Sequence, residues 1–214
     1  MDTLRRTFKT KSVQKAYSHV AWTYDIWSRF TESKASEKAL ELAEIQNGED
    51  ILEVAVGTGI VFEEVSKRNP NGKNIGIDLS PGMLAKAIKR LEHSYQNYLN
   101  YGNVFSLPFK NNQFDLVINN YMFDLLPEEK FEAILLEFKR VLKNPGRVVI
   151  TNMAYGKYWF NKFWDWLAKA SPGILTGCRP VSLEGYLKKA GFSNIQVVSV
   201  SQNTFPSELL KAEV

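Results

Sequence analysis

The chain has 214 residues, 44% of them apolar and 23% charged, which is enough for one packed domain, too few for two ordinary ones, and excludes wholesale disorder. Its net charge of +4 is carried by the first fifteen residues, where Arg5, Arg6, Lys9, Lys11 and Lys15 stand against Asp2. The remainder is neutral, which argues against the broad cationic face of a nucleic-acid binder.

In chain order, residues 11–45 read as helices, with Val13, Ala16, Tyr17, Val20 and Ala21, and then Ala39, Leu40, Leu42 and Ala43, at helical spacing. Asn47-Gly48 breaks that pattern. Residues 50–55 are a short apolar run that ends in a Gly-rich turn, 59–68 a helix and 74–78 a second strand. Ser80-Pro81 opens a further helix as N-cap and first position, and Met83, Leu84, Ala87, Ile88 and Leu91 form its apolar face. A weak third strand lies near 98–102 and a fourth at 114–119. Residues 128–143 are the clearest helix, stopped by Asn144-Pro145-Gly146, and 147–153 is the fifth strand. A helix over 181–190, closed by Gly191, precedes two last strands near 194–200 and 207–213. Alternating strands and helices predict a mostly parallel sheet covered on both faces, and the final pair predicts a hairpin at one edge.

Chemistry concentrates at residues 51–59, ILEVAVGTG, where a buried strand runs into Gly57-Thr58-Gly59 and a helix begins. Glycines there let backbone amides approach a ligand, and the helix terminus favours a carboxylate or phosphate. The spacing Ala55-x-Gly57-x-Gly59 is not the G-x-G-x-x-G that a pyrophosphate wants, which weighs against a nicotinamide-dependent oxidoreductase. Glu53 puts a carboxylate inside a strand, where burial demands a cation or an amide as partner. Asp78, closing the second strand, can accept both hydroxyls of a ribose. Asn103 can bond an adenine edge and Val104 can cover a ring face.

These stretches, with NIGIDLSPGMLAKA, LPFKNNQFDLV and FKRVLKNPGRVVITN, resemble the class I S-adenosylmethionine methyltransferases. The match is to the small-molecule branch near the ubiquinone and menaquinone biosynthesis enzymes and the bacterial phosphatidylethanolamine N-methyltransferases. The resemblance implies an α/β, Rossmann-like fold with a seven-stranded, mostly parallel sheet, an antiparallel edge strand and helices on both faces. It implies an S-adenosylmethionine-binding domain over 47–214, preceded by a basic arm and helical cap over 1–46. Glu53, Ala55 and the Gly57-Thr58-Gly59 turn would hold the methionine end of S-adenosyl-L-methionine. Asp78 would hold the ribose, Leu79 and Met83 would lie beside the adenine, and Asn103 and Val104 would bind it. The family more often has Asp where this chain has Asn103, and Gly where it has Ala55. Asn119 would sit near the reacting methyl group, and Tyr24 and Tyr121 join it as candidates for shaping the catalytic pocket.

Residues 155–180 hold Trp159, Trp164 and Trp166, three of the five tryptophans. They read as a helix packed on the domain, a dimer contact, or a lid over an apolar acceptor that dips into a membrane interface. With residues 1–15 they are the candidates for peripheral membrane contact. A single cysteine, Cys178, permits no internal disulfide, no apolar run reaches membrane-spanning length and none follows the basic arm as in a secretory signal, so a cytoplasmic location is expected. His19 and His93 are far apart and no metal-ligand spacing exists, so no metal is expected. The expected partner is a small, apolar or amphipathic, quinone- or lipid-like acceptor, with no nucleic acid, bound by a monomer or homodimer. A methyltransferase of a soluble metabolite and a non-catalytic cofactor-binding module are the alternatives.

Overall fold

The computed structural model describes residues 30–91, 97–155 and 178–214. The elements run α1 (Ser33–Ala43), β1 (Asp50–Val54), α2 (Ile60–Arg68), β2 (Lys73–Asp78), α3 (Pro81–Arg90), β3 (Asn97–Tyr101), β4 (Phe114–Asn120), α4 (Phe131–Val141), β5 (Leu142–Met153), α5 (Glu184–Lys189), β6 (Ser193–Gln202) and β7 (Phe205–Glu213). The strands form one sheet in the order β3-β2-β1-β4-β5-β7-β6. β1 to β5 pair in parallel, and β7 runs antiparallel to both β5 and β6. The mostly parallel sheet with a hairpin at one edge is therefore as expected, with the reversed strand β7 placed between β5 and the edge strand β6.

Burial on both faces explains why the inner strands are apolar at successive positions and not alternately. Ile51, Leu52 and Val54 are all at most 1% exposed. On one face, Phe131, Ile134, Leu135 and Phe138 of α4 pack on Leu52, Val117, Val148 and Ile150. On the other, Ala35, Ala39 and Leu40 of α1 and Val65 of α2 pack on Ile51, Leu116, Ile118 and Val149. Adjacent residues of one strand therefore serve opposite cores.

Two local expectations change. The helix expected over 128–143 is a 3-10 turn at Glu128–Lys130 followed by α4, and it ends at Val141. Leu142 is fully buried and pairs with Phe114, so strand contact outweighs helix propensity there, and Asn144-Pro145-Gly146 lies within β5 at a register shift. In α3, Ser80 caps the helix by accepting from the Met83 amide at 3.4 Å, but Ile88 is 56% exposed and the apolar face is narrower than its spacing implied.

At the amino ends of the strands, charge is paired. Lys143 Nζ donates to Asp50 at 2.9 Å and Asp115 at 2.8 Å, and Arg147 Nη1 meets Glu49 at 2.8 Å while its Nε reaches the Ala43 carbonyl. A chain of amides joins the end of α2 to β2 and β3. Asn69 Nδ2 donates to Asn74 at 2.8 Å, Asn74 Nδ2 to Asn97 at 3.0 Å, and Asn97 Nδ2 to the Ser66 hydroxyl at 2.6 Å. Asn74 is 1% exposed, so nothing but its neighbours can satisfy it. Asn74→Val keeps strand propensity but strands the flanking amides. The expected result is a loss of about 1–3 kcal/mol, read as a lower urea midpoint at unchanged m-value; an unmoved midpoint would show that the chain contributes no net stability.

Candidate functional site

β1 delivers Glu53 and then the chain turns sharply, with Ala55, Gly57 and Gly59 all at positive φ (61°, 56° and 81°). A Cβ on Gly59 would lie 2.9 Å from the Cα of Ala87, so glycine there lets α2 start against α3. Ala55 holds the left-handed conformation with its methyl group in place, a strain of about 1–3 kcal/mol that the surrounding contacts must sustain. Those contacts are visible. The Val56 amide donates to the Ile77 carbonyl at 3.1 Å, the Gly57 amide to Asp78 Oδ2 at 2.8 Å, and Arg90 Nε to the Thr58 carbonyl at 3.0 Å. Asp78 Oδ1 accepts the Ser80 amide at 2.7 Å. Burial pushes the Asp78 carboxyl above its ordinary value, and the Ser80, Gly57 and Leu79 amides pull it back.

The turn borders a narrow cleft of about 50 Å³ at the carboxyl ends of β1 and β4, lined by Glu53, Ala55, Gly57, Thr58, Asn120 and Tyr121, with Glu32 and Ser36 closing it from the α1 side. This is where an open α/β sheet takes ligands. Glu53 is 2% exposed, and among the described residues its Oε2 has no partner; both amide atoms of Asn120 and the Thr151 hydroxyl are likewise buried and unpartnered there. Asn120 and Thr151 are register partners on β4 and β5, and Glu53 pairs in register with Ile118, so the three share the α1 face of the sheet. Such a row of orphaned polar atoms calls for a ligand with donors and acceptors. Burial, and next the neighbouring Asp78 charge, push Glu53 well above the ordinary carboxylate range. An arriving ammonium would reverse that penalty, so the residues fit the amino-acid end of the donor that the resemblance implies.

Of the other residues expected at this site, Asp78 joins the cleft through the Gly57 amide. Asn103 caps its own turn by accepting from the Phe105 amide at 3.1 Å, and the adjoining Gly102 amide donates to the Asp78 carbonyl at 3.1 Å, which brings that turn to the end of β2. Met83 is buried in α3, Leu79 is half-buried, and Val104 packs against the α4-side core. Asn119 donates Nδ2 to the Val54 carbonyl at 2.8 Å, bracing β4 on β1 and leaving its neighbour Asn120 to line the cleft. Tyr121 has φ +49° and shares a 2.7 Å hydrogen bond with the Ser207 hydroxyl. Tyr24, residues 1–15 and most of 155–180 lie outside the described residues. Asn120, Thr151 and Glu32 were not anticipated. The pair Asn119-Asn120 at a strand end was the available signal, and only the parity of the register tells which of the two faces the cleft.

A family model described as "methyltransferase domain" matches residues 51–146. The demethylmenaquinone methyltransferase of Thermotoga maritima is 29% identical over 147 residues, which are 67% of this chain and 62% of that protein, so the chain spans about three fifths of its length. The demethylmenaquinone methyltransferase of Lactococcus lactis is 27% identical over 214 residues, 86% of this chain and 83% of that protein. In fold, the chain is similar to a phosphoethanolamine N-methyltransferase of Haemonchus contortus solved with phosphomonomethylethanolamine and S-adenosylhomocysteine, with a TM-score of 0.75 at 16% identity over 97% of this chain and 60% of that one.

The state of Glu53 yields a pH test. Its folded value is raised, so the stability of the free protein is greatest below the unfolded value near 4.5 and is lost as pH rises through the folded value. A cationic donor favours the ionised form, so binding below the folded value should release a proton and affinity should rise with pH. Calorimetry in buffers of different ionisation enthalpy reads that proton. Glu53→Gln should abolish the release, raise the melting temperature at pH 8 and weaken S-adenosylmethionine by roughly ten- to a hundredfold, the loss of one charge-assisted hydrogen bond. Equal affinity in the two proteins would remove Glu53 from the donor site.

Proposed function

We propose that this chain is a class I S-adenosylmethionine-dependent methyltransferase resembling the menaquinone-biosynthesis enzymes, and that it methylates a small, apolar or amphipathic acceptor of the quinone type. The observation that carries the proposal is the orphaned row Glu53, Asn120 and Thr151 beside the glycine turn, together with the similarity to two demethylmenaquinone methyltransferases.

When bound, the donor supplies a methyl group already activated on a sulfonium, so the protein needs to orient and desolvate more than to activate. Glu53 holds the donor's ammonium. The amino end of α2, just past the Gly57–Gly59 turn, would hold its carboxylate. Asp78 keeps a lone pair for the ribose hydroxyls after accepting the Gly57, Ser80 and Leu79 amides. Asn120 and Thr151 continue the polar row toward β5, where an acceptor would meet the methyl group. Tyr121, tied by its hydroxyl to Ser207, presents its ring as a wall of that space.

The quinone-type acceptor draws further support from the tryptophan-rich stretch 155–180 and the basic arm 1–15, which suit peripheral contact with an anionic bilayer. Among the described residues, no helix is long and apolar enough to cross a membrane.

The decisive assay supplies methyl-labelled S-adenosylmethionine, a prenylated 1,4-naphthalenediol in vesicles and, separately, a pool of water-soluble metabolites. Label is expected in the organic phase, and flotation on vesicles containing phosphatidylglycerol should weaken severalfold when residues 1–15 are removed. Label confined to water-soluble products, with no flotation of either form, would overturn the quinone-type acceptor.

A further inference from the structure

The cleft that holds Glu53 is bordered by a second carboxylate. Glu32 stands at the N-cap of α1, where a carboxylate ordinarily accepts an amide of the first turn, yet its side chain makes no capping bond. That duty falls to another strand. Gln202, at the end of β6, accepts the Lys34 amide at 2.7 Å and donates Nε2 to the Ser33 hydroxyl at 2.9 Å, and the next residue, Asn203, donates to the Phe30 carbonyl at 2.8 Å. The β6–β7 hairpin thus grips the chain on both sides of Glu32 and relieves its carboxylate of capping. Glu32 is 6% exposed and lines the cleft of about 50 Å³ with Glu53, Gly57, Asn120 and Tyr121. The Tyr121 hydroxyl registers it: burial, and next the Glu32 charge, push that hydroxyl well above its ordinary value.

Among the described residues that line the cleft, the charged side chains are therefore both carboxylates, and Asp78 lies close enough to add its charge to that felt by Glu53. Arg90, the cation at the same turn, holds the Thr58 carbonyl and stands 3.7 Å from Glu63. A space so acidic suits a ligand with more than one positive charge.

We infer that Glu32 is a charge-selective residue of the donor site, favouring the sulfonium of S-adenosylmethionine over the neutral sulfur of S-adenosylhomocysteine, so that methyl transfer itself loosens the product. The inference rests on the methyltransferase reading above and deepens it, because it gives the cleft a preference between two states of one cofactor. The donor carries an ammonium and a sulfonium separated by three carbon atoms. With the ammonium on Glu53, that short spacer keeps the sulfonium at the same cleft, whose α1 wall is Glu32. A water molecule takes up about 30 Å³, so a ligand end seated there leaves little room for screening solvent. Methyl transfer breaks the bond between the methyl carbon and sulfur, and its electron pair stays on sulfur. The new bond forms from an electron pair of the acceptor, which gives up a proton to water. The sulfonium charge is then gone, and with it the attraction to Glu32, while the ammonium on Glu53 is unchanged. Glu53 thus holds both states alike, and Glu32 tells them apart.

Calorimetry on the full chain at pH 7 compares S-adenosylmethionine, S-adenosylhomocysteine and sinefungin, which carries an amine in place of the methylated sulfur. Glu32→Gln should weaken S-adenosylmethionine and sinefungin roughly tenfold, the effect of one charge acting over several ångströms through a protein interior, and leave S-adenosylhomocysteine within about twofold. Glu32→Asp keeps the charge and should keep the wild-type ratio of donor to product affinity, whereas Glu53→Gln should weaken all three ligands together. In the wild type, a comparison that needs no variant, sinefungin should bind more tightly than S-adenosylhomocysteine. Equal loss of all three ligands in Glu32→Gln, or loss of none, overturns the charge-selective role. So does the reverse order of sinefungin and S-adenosylhomocysteine in the wild type. A fall in kcat with the affinity ratio unmoved overturns it too, and would make Glu32 a residue of the acceptor. A wild type that binds none of the three overturns the methyltransferase reading and this inference together; binding with a ratio indifferent to Glu32 overturns the inference alone.

Discussion

The contact between the Asp78 carboxylate and the Gly57 amide fixes the relation of β1 to β2 where both strands end, and the shape of the glycine turn beside the cleft depends on it. A turn with three residues at positive φ would otherwise sample many shapes. Here one carboxylate holds its middle, while the Arg90 side chain holds Thr58 and the Ile77 carbonyl holds Val56. The loop is thus set before any ligand arrives, and less ordering remains to be done on binding. The same carboxylate raises the cost of ionising Glu53, so the element that shapes the turn also tunes the group beside it.

The two ends of the sheet treat charge in opposite ways. At the amino ends, Lys143 is shared between Asp50 and Asp115, and Arg147 is forked onto Glu49. At the carboxyl ends, Glu53 and Asp124 are desolvated, each with an oxygen that no described residue satisfies. Buried polar atoms without partners destabilise a fold. Their concentration at one end fits a division in which the paired end sustains the structure and the unpaired end keeps its valences for a ligand.

Much of this was legible in the sequence, for physical reasons. Strands buried on both faces must be apolar throughout, so 50–55 and 114–119 declared themselves, and Ser80-Pro81 could start a helix in only one way. The glycine turn and Asp78 were readable because ligand approach and positive φ demand particular residue types. What escaped depends on parity and on distance. Asn119 and Asn120 are identical side chains one residue apart, and β1 pairing alone sends one to the Val54 carbonyl and the other to the cleft. Asp124 and Met153 are 29 positions apart, and their hydrogen bond comes from the turn after β4 meeting the end of β5. The early end of α4 likewise follows from Leu142 finding Phe114 on another strand, which no local propensity records.

The place of β7 bears on how the molecule is made. It is the latest strand in the chain, yet it lies inside the sheet, hydrogen-bonded to β5 on one side and β6 on the other. On the ribosome, β5 must therefore wait with one edge bare, and β6 has no neighbour to join, until the last residues of β7 have left the exit tunnel. The first five strands can assemble during synthesis, but closure of the sheet waits for β7, and a nascent chain stalled before Phe205 exposes a sticky edge to chaperones and to other chains.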